Sequence, residues 1–202
     1  MPALAFPSGG PEAGLPVAFA LLLIGLCAGS VPTSLLVGRA VGVDVLHSGE
    51  GNPGAANVWR LAGARAGLLA LALDMGRAIV PGLIGWAVAG YWGAVCGALG
   101  AEIGAVRPIV PGLQGGRGVG TAAGAGLVIE PVAGAVGFLV AIVVGVATRR
   151  PAQATAAGFV AYPIAWVVLG VRSLETLAPM AGAGLVALVA VARWAATRAR
   201  RG

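Results

Sequence analysis

Two polar, glycine-dense segments interrupt a chain that is otherwise almost wholly apolar, and each carries an arginine. The first runs Gly49-Glu50-Gly51-Asn52-Pro53-Gly54-Ala55-Ala56-Asn57-Val58-Trp59-Arg60. The second runs Gln114-Gly115-Gly116-Arg117-Gly118-Val119-Gly120-Thr121. Glycine permits positive φ and close backbone approach, so successive N–H groups can converge on an anion. Arg60 and Arg117 add permanent charge and a donor fork that matches phosphate. The second segment opens an apolar helix, whose N-terminal N–H groups favour the same ligand. A phosphate or similar anion is the chemistry this pattern suits. The phosphate-loop pattern Gly-x4-Gly-Lys-Ser/Thr is absent, so the segment is not a nucleotide P-loop.

Other catalytic devices are scarce. His47 is the only histidine, and Cys27 and Cys96 stand alone in apolar runs. No disulfide framework, metal site or cofactor is expected. The sole histidine is followed by Ser-Gly-Glu-Gly-Asn, so the His-x4-Asp motif of soluble glycerolipid acyltransferases is missing. No lysine is present, so Schiff-base chemistry has no residue to use. Asp74 and Arg77 lie three apart in an apolar run and share a helix face, which reads as an ion pair supporting the polar segments. Glu102 and Arg107 flank the end of a span and read as interfacial charges.

The elements that must carry these segments are membrane helices. The 202-residue chain is 58% hydrophobic and 10% charged, with a mean hydropathy of +0.94. These values place it outside the soluble range, as a multi-pass protein of the cell membrane. The net charge of +6 reflects membrane topology, and no nucleic-acid partner is expected. We read an all-α fold of seven transmembrane helices as one domain over residues 1–202, with the bundle at 15–195. The spans fall near Leu15–Val37, Ala66–Ala89, Trp92–Val106, Val119–Ile129, Val132–Thr148, Thr155–Val171 and Leu177–Ala195. The first is too long for a signal-peptide core. Under this reading every arginine except Arg77 and Arg172 falls on one side. The positive-inside rule then puts the C-terminus and both glycine segments in the cytoplasm and the N-terminus outside.

These residues resemble the bacterial acyl-phosphate:glycerol-3-phosphate acyltransferases. Gly29-Ser30-Val31-Pro32-Thr33-Ser34 is similar to that family's Gly-Ser-x-Pro-Thr/Phe. Gly49 through Arg60 resembles Gly-Ser-Gly-Asn-Pro-Gly-Ala-Thr-Asn-x-x-Arg, and Gly115 through Thr121 resembles Gly-Gly-Lys-Gly-Val-Ala-Thr. Asp74-Met75-Gly76-Arg77 fits Asp-x-x-Lys. The likeness implies transfer of an acyl group from acyl phosphate to the sn-1 hydroxyl of glycerol 3-phosphate, giving lysophosphatidic acid and phosphate. It implies that Arg60 and Arg117 act on the reacting groups. It also implies that Gly49, Gly51, Asn52, Gly54, Asn57, Gly115, Gly116, Gly118 and Thr121 hold phosphate and the polar acceptor, with Asp74 and Arg77 as support. No cofactor is implied. The likeness also implies that a substrate phosphate, not a protein base, takes the hydroxyl proton.

The chain departs from that pattern at several positions. Glu50 replaces the loop serine, Ala56 the threonine and Arg117 the lysine. Ala105 stands where the family has histidine, and Ala152 and Thr155 fall at its Ser-x-x-Ser. The C-terminal Arg193-Trp194-Ala195-Ala196-Thr197-Arg198-Ala199-Arg200 lacks the family's histidine and asparagine. A catalytically impaired paralogue that binds lipid or a partner is one alternative. A small anion transporter is another, although no inverted repeat is visible. Glu50 is expected either to repel a bound phosphate or to pair with Arg60 or Arg117 in the empty site. On both expectations Glu50→Ser tightens binding.

Overall fold

The computed structural model describes residues 14–169, and every regular element among them is helical. In chain order these are α1 (Leu15–Gly29), α2 (Thr33–Ala40), α3 (Ala55–Val106), α4 (Val119–Ile129), α5 (Pro131–Thr148) and α6 (Pro151–Val168). The expected seventh span lies outside the described residues. Three stretches are long and apolar enough to cross a membrane: Leu15–Ala40, Ala55–Val106 and Pro131–Thr148.

The first expected span is not one helix. It breaks at Ser30–Pro32, and α2 restarts at Thr33. Pro32 has no N–H to donate, and its ring disfavours helical backbone in the preceding residue. The helix expected from Ala66 begins instead at Ala55, so Arg60 sits on helix rather than in a loop. Its continuity is interrupted at Gly63 (φ 83°) and again at Ala89 and Gly90 (φ 62°). The second interruption falls at the turn expected between the second and third spans. It folds α3 back on itself into legs 64–88 and 91–106. α4 has the expected bounds, whereas α6 begins at Pro151 because proline suits the first helical turn.

Small residues set how these helices meet. Where lipid surrounds the helices, association depends on close van der Waals packing, which glycine permits. A Cβ on Gly25 would overlap the Gly97 carbonyl, and one on Gly29 would overlap that of Ala101. The constant offset means that α1 runs parallel to leg 91–106. Gly85 against Gly93 and Gly97 against Pro81 show the two legs of α3 running antiparallel. α4 lies parallel to leg 64–88 through Gly120 on Asp74 and Gly124 on Met75. α5 is antiparallel to both α4 and α6, through Gly134 on Gly126 and Gly137 on Gly158. Following these directions, segments 41–54, 107–118 and 149–150 emerge at the same end of the bundle. Large apolar side chains such as Leu83, Val143 and Val146 face outward, as a lipid-facing surface requires.

Candidate active site

The break at Pro32 creates a structural demand deep in the bundle. A helix end leaves its last carbonyls without partners. Arg77 supplies them: Nη1 donates to Gly29 O at 2.9 Å and to Val31 O at 2.7 Å. Its Nη2 pairs with Asp74 Oδ1 at 2.9 Å and donates to Thr121 Oγ1 at 3.1 Å. Asp74 in turn accepts from Thr33 Oγ1 and, at 2.8 Å, from Ser34 Oγ. Ser30 Oγ donates to Leu26 O and accepts Ile109 N–H at 3.1 Å, tying the break to the segment after α3. One buried polar cluster therefore joins α1, α2, leg 64–88 and α4. Asp74 and Arg77 are the expected ion pair. Thr121 is fully buried and belongs to this cluster, so its hydroxyl is not presented as a surface phosphate donor.

Asn57 frames the first glycine segment from beneath. It is 1% exposed. Its Nδ2 donates to Val45 O at 3.0 Å, Ser48 O at 3.1 Å and Asn52 O at 3.2 Å. Its Oδ1 accepts the Glu50 N–H at 3.0 Å. Both ends of the amide are thus spent on the loop. Gly49 (φ 64°) and Gly51 (φ 60°) let the backbone turn around that amide. Asn57 sets the loop's shape, which differs from the ligand contact expected of it.

In the second segment Gly118 caps α4 in the left-handed region (φ 71°). A Cβ there would overlap the Glu102 carboxyl. Glu102 is 1% exposed, and neither carboxyl oxygen has a hydrogen-bond partner among the described residues. The expectation of an interfacial charge is corrected: Glu102 lies under the second glycine segment. Arg107 is exposed at the end of α3 and does not join it.

The two segments meet at Glu50. Its Oε1 is 2.8 Å from Arg60 Nη2, and its Oε2 binds Arg117 Nη2. Burial raises the Glu50 carboxyl, but Arg117 and Arg60 together hold it below the ordinary glutamate value. Glu50 therefore pairs with both arginines, one of its two expected placements.

A cavity of about 620 Å³ opens beside this bridge. Arg60, Arg117, Asn52, Gly54, Gly116 and Gly118 line its polar side, while Gly49, Gly51 and Gly115 do not reach it. Trp59 and Leu71 with Ile142 and Val146 of α5 form an apolar side. Glu50 is not among the lining residues. Its charge is spent on the two arginines instead of facing a ligand alone, which removes direct repulsion, though not shielding of the arginines, as a basis for a gain on Glu50→Ser. Arg149 and Thr155 also line the cavity. Of these, Thr155 falls at the Ser-x-x-Ser of the family pattern, while the sequence marks Arg149 only as a charge of the cytoplasmic side. Arg149 has one local signal, a left-handed backbone (φ 53°) ending α5.

A helical membrane bundle that brings two arginines from separate glycine segments to a half-apolar cavity offers both the charge and the apolar wall an anionic amphiphile would need. Comparison with known proteins narrows that class. The family model described as glycerol-3-phosphate acyltransferase matches residues 19–201. A glycerol-3-phosphate acyltransferase of Rubrobacter xylanophilus is 40% identical over 151 residues, covering 74% of this chain and 76% of the relative. One of Anaeromyxobacter sp. strain Fw109-5 is 38% identical over 172 residues, covering 76% and 85%. The crystal structure of PlsY (YgiH), an integral membrane glycerol 3-phosphate acyltransferase, in its glycerol 3-phosphate form superposes with a TM-score of 0.77 at 25% identity. That superposition covers 91% of this chain and 90% of the other. The chain belongs to the glycerol-3-phosphate acyltransferase family and is a multi-pass membrane protein.

Proposed function

We propose that this chain transfers a fatty acyl group from acyl phosphate to the sn-1 hydroxyl of glycerol 3-phosphate. The C–O ester bond forms as the acyl C–O bond to phosphate breaks, and lysophosphatidic acid and inorganic phosphate leave. The observation that carries this reading is the two-sided cavity, with arginines from both glycine segments on one wall and α5 apolar residues on another. Charged substrate heads suit the first wall and an acyl chain the second. Arg60 and Arg117 orient the phosphates and offset charge that develops as the carbonyl is attacked. The N–H groups of Gly54 and Gly116, which line the cavity, are spent on the Asn52 and Ala105 carbonyls, so the arginines carry the anion. Asp74 is engaged by Thr33, Ser34 and Arg77, and Glu50 by two arginines. Glu50 does not line the cavity, and Asp74, which does, already accepts from Thr33, Ser34 and Arg77 through its two oxygens; in this reading the departing phosphate takes the hydroxyl proton.

The chain crosses the membrane seven times, with the cavity and C-terminus in the cytoplasm. At one end emerge segments 107–118 and 149–150, which carry Arg107, Arg117, Arg149 and Arg150, and segment 41–54, flanked by Arg39 and Arg60; this supports the orientation under the positive-inside rule. Reporter fusions at Gly202 and before Leu15 test it, and a periplasmic C-terminus overturns it.

Purified protein given acyl phosphate and labelled glycerol 3-phosphate should form labelled lysophosphatidic acid with equimolar phosphate. A folded protein that forms none contradicts the assignment.

A further inference from the structure

We infer that Glu50 is a positioning residue: its carboxylate holds Arg60 and Arg117 at the spacing from which both engage one phosphate. The substrate follows from the acyltransferase reading, and the mechanism from the ion-pair geometry. Arg60 and Arg117 come from segments far apart in sequence. Glu50 gives one oxygen to each, at 2.8 Å to Arg60 Nη2 and in direct contact with Arg117 Nη2. A single rigid carboxylate thereby fixes the distance between two guanidinium groups.

Like charges at such a distance repel each other, and long side chains have many rotamers to occupy. An anion held between the two groups offsets both effects. Glu50 is suited to that task because its own position is built. Its backbone N–H donates to the Asn57 amide at 3.0 Å, and Asn57 is itself anchored to three loop carbonyls. Gly49 and Gly51, with φ of 64° and 60°, bracket it on a tight turn. The carboxylate is only 15% exposed.

Position separates this role from that of a competing anion. Arg60 and Arg117 line the cavity and Glu50 does not. Glu50 meets each guanidinium at Nη2, one corner of a group with five donors. Because Glu50 does not line the cavity, a phosphate that reaches both arginines from it need not displace the carboxylate. The arrangement becomes carboxylate, two arginines, phosphate. The cost is one unit of positive charge, and the gain is a fork aligned before the ligand arrives.

The test is a double-mutant cycle on detergent-purified full-length protein. Its variants are Glu50→Gln, Arg117→Lys and the pair together. Glu50→Gln keeps shape and loses charge. Lysine presents a point charge that needs no fork alignment, so it depends less on the clamp. KM for glycerol 3-phosphate should rise about tenfold on Glu50→Gln, the scale of one charged hydrogen bond. The kcat should fall by a smaller factor than KM rises, and the unfolding temperature at neutral pH should drop only slightly, the worth of two partly exposed ion pairs. In the Arg117→Lys background the same substitution should raise KM less than about threefold.

Dissociation constants for inorganic phosphate, measured without acyl donor, should follow the same pattern. That second readout separates the clamp from the reaction. Wild-type protein that fails to acylate glycerol 3-phosphate defeats the proposed function, while phosphate binding still reports on Glu50. A lower KM or tighter phosphate binding on Glu50→Gln overturns the inference and makes Glu50 a competitor. Equal effects in both backgrounds overturn it as well. So does a large loss of stability and kcat together, which would make Glu50 a support of the fold.

Discussion

Removing the Asn57 amide should unmake the first glycine segment even when no ligand is present. The side chain is 1% exposed. It donates from Nδ2 to the carbonyls of Val45, Ser48 and Asn52, and accepts the Glu50 N–H. Two donor hydrogens and one accepted hydrogen amount to three full bonds. At about 1 kcal/mol each, Asn57→Ala costs about 3 kcal/mol. Backbone groups stranded in the interior raise that figure, and water entering the loosened loop lowers it. For a chain of this length the loss corresponds to a fall of roughly 6–12 °C in unfolding temperature. Asn57→Asp keeps the acceptor but turns a carboxylate oxygen toward three carbonyls in a buried site, and should cost at least as much as alanine. The assay is thermal unfolding of detergent-purified protein without substrate, beside KM for glycerol 3-phosphate. A ligand contact behaves differently: its loss raises KM and leaves the substrate-free protein as stable as before. If Asn57→Ala gives that second pattern, the assignment of Asn57 to the loop frame is wrong.

Three further outcomes follow from the same geometry. Arg77→Ala leaves Asp74 buried without its cation and strands the Gly29 and Val31 carbonyls. A loss of about 3–5 kcal/mol is expected, read as a failure to elute as a single folded species. Gly118→Ala combines a left-handed backbone at φ 71° with a collision against Glu102. The backbone term alone is about 1–2 kcal/mol, and both stability and acyl transfer should drop. For Glu50, the folded-state value lies below the ordinary 4.5 because Arg117 and Arg60 outweigh its burial. A depressed carboxylate stabilises the fold fully above the unfolded value and loses that contribution as pH falls through the folded one. Unfolding temperature followed from about pH 6 to about pH 3 should show an acid limb that Glu50→Gln makes shallower.

Much of this was legible in the chain because membrane helices advertise themselves. Long apolar runs fixed most spans. The turn at Ala89 and Gly90 and the bounds of α4 appear where the composition placed them. Arg60 and Arg117 stood out because charge in such a background needs a reason, and the fold brings them to one carboxylate. The misses share a cause. A hydropathy pattern averages over single residues, so the break made by Pro32 was absorbed into an apolar run. That break calls for Arg77 and gives Asp74 its hydroxyl partners, Thr33 and Ser34. Burial of a polar side chain is likewise a tertiary fact. Glu102 looked interfacial because it lies near a helix end, and only the packing of Gly118 against it shows otherwise. Asn57 looked like a ligand group because its type suits phosphate. Its partners are carbonyls of Val45, Ser48 and Asn52, a choice that depends on how the loop closes.

The central claim is that Arg60 and Arg117 hold one phosphate between them. Equilibrium binding of labelled glycerol 3-phosphate to wild type, Arg60→Ala, Arg117→Ala and the double variant tests it most directly. Each single variant should weaken binding by about tenfold or more, the worth of a charged hydrogen bond. The double variant should lose less than the product of the two, because both arginines serve the same ligand. Wild-type affinity in both single variants would contradict the account.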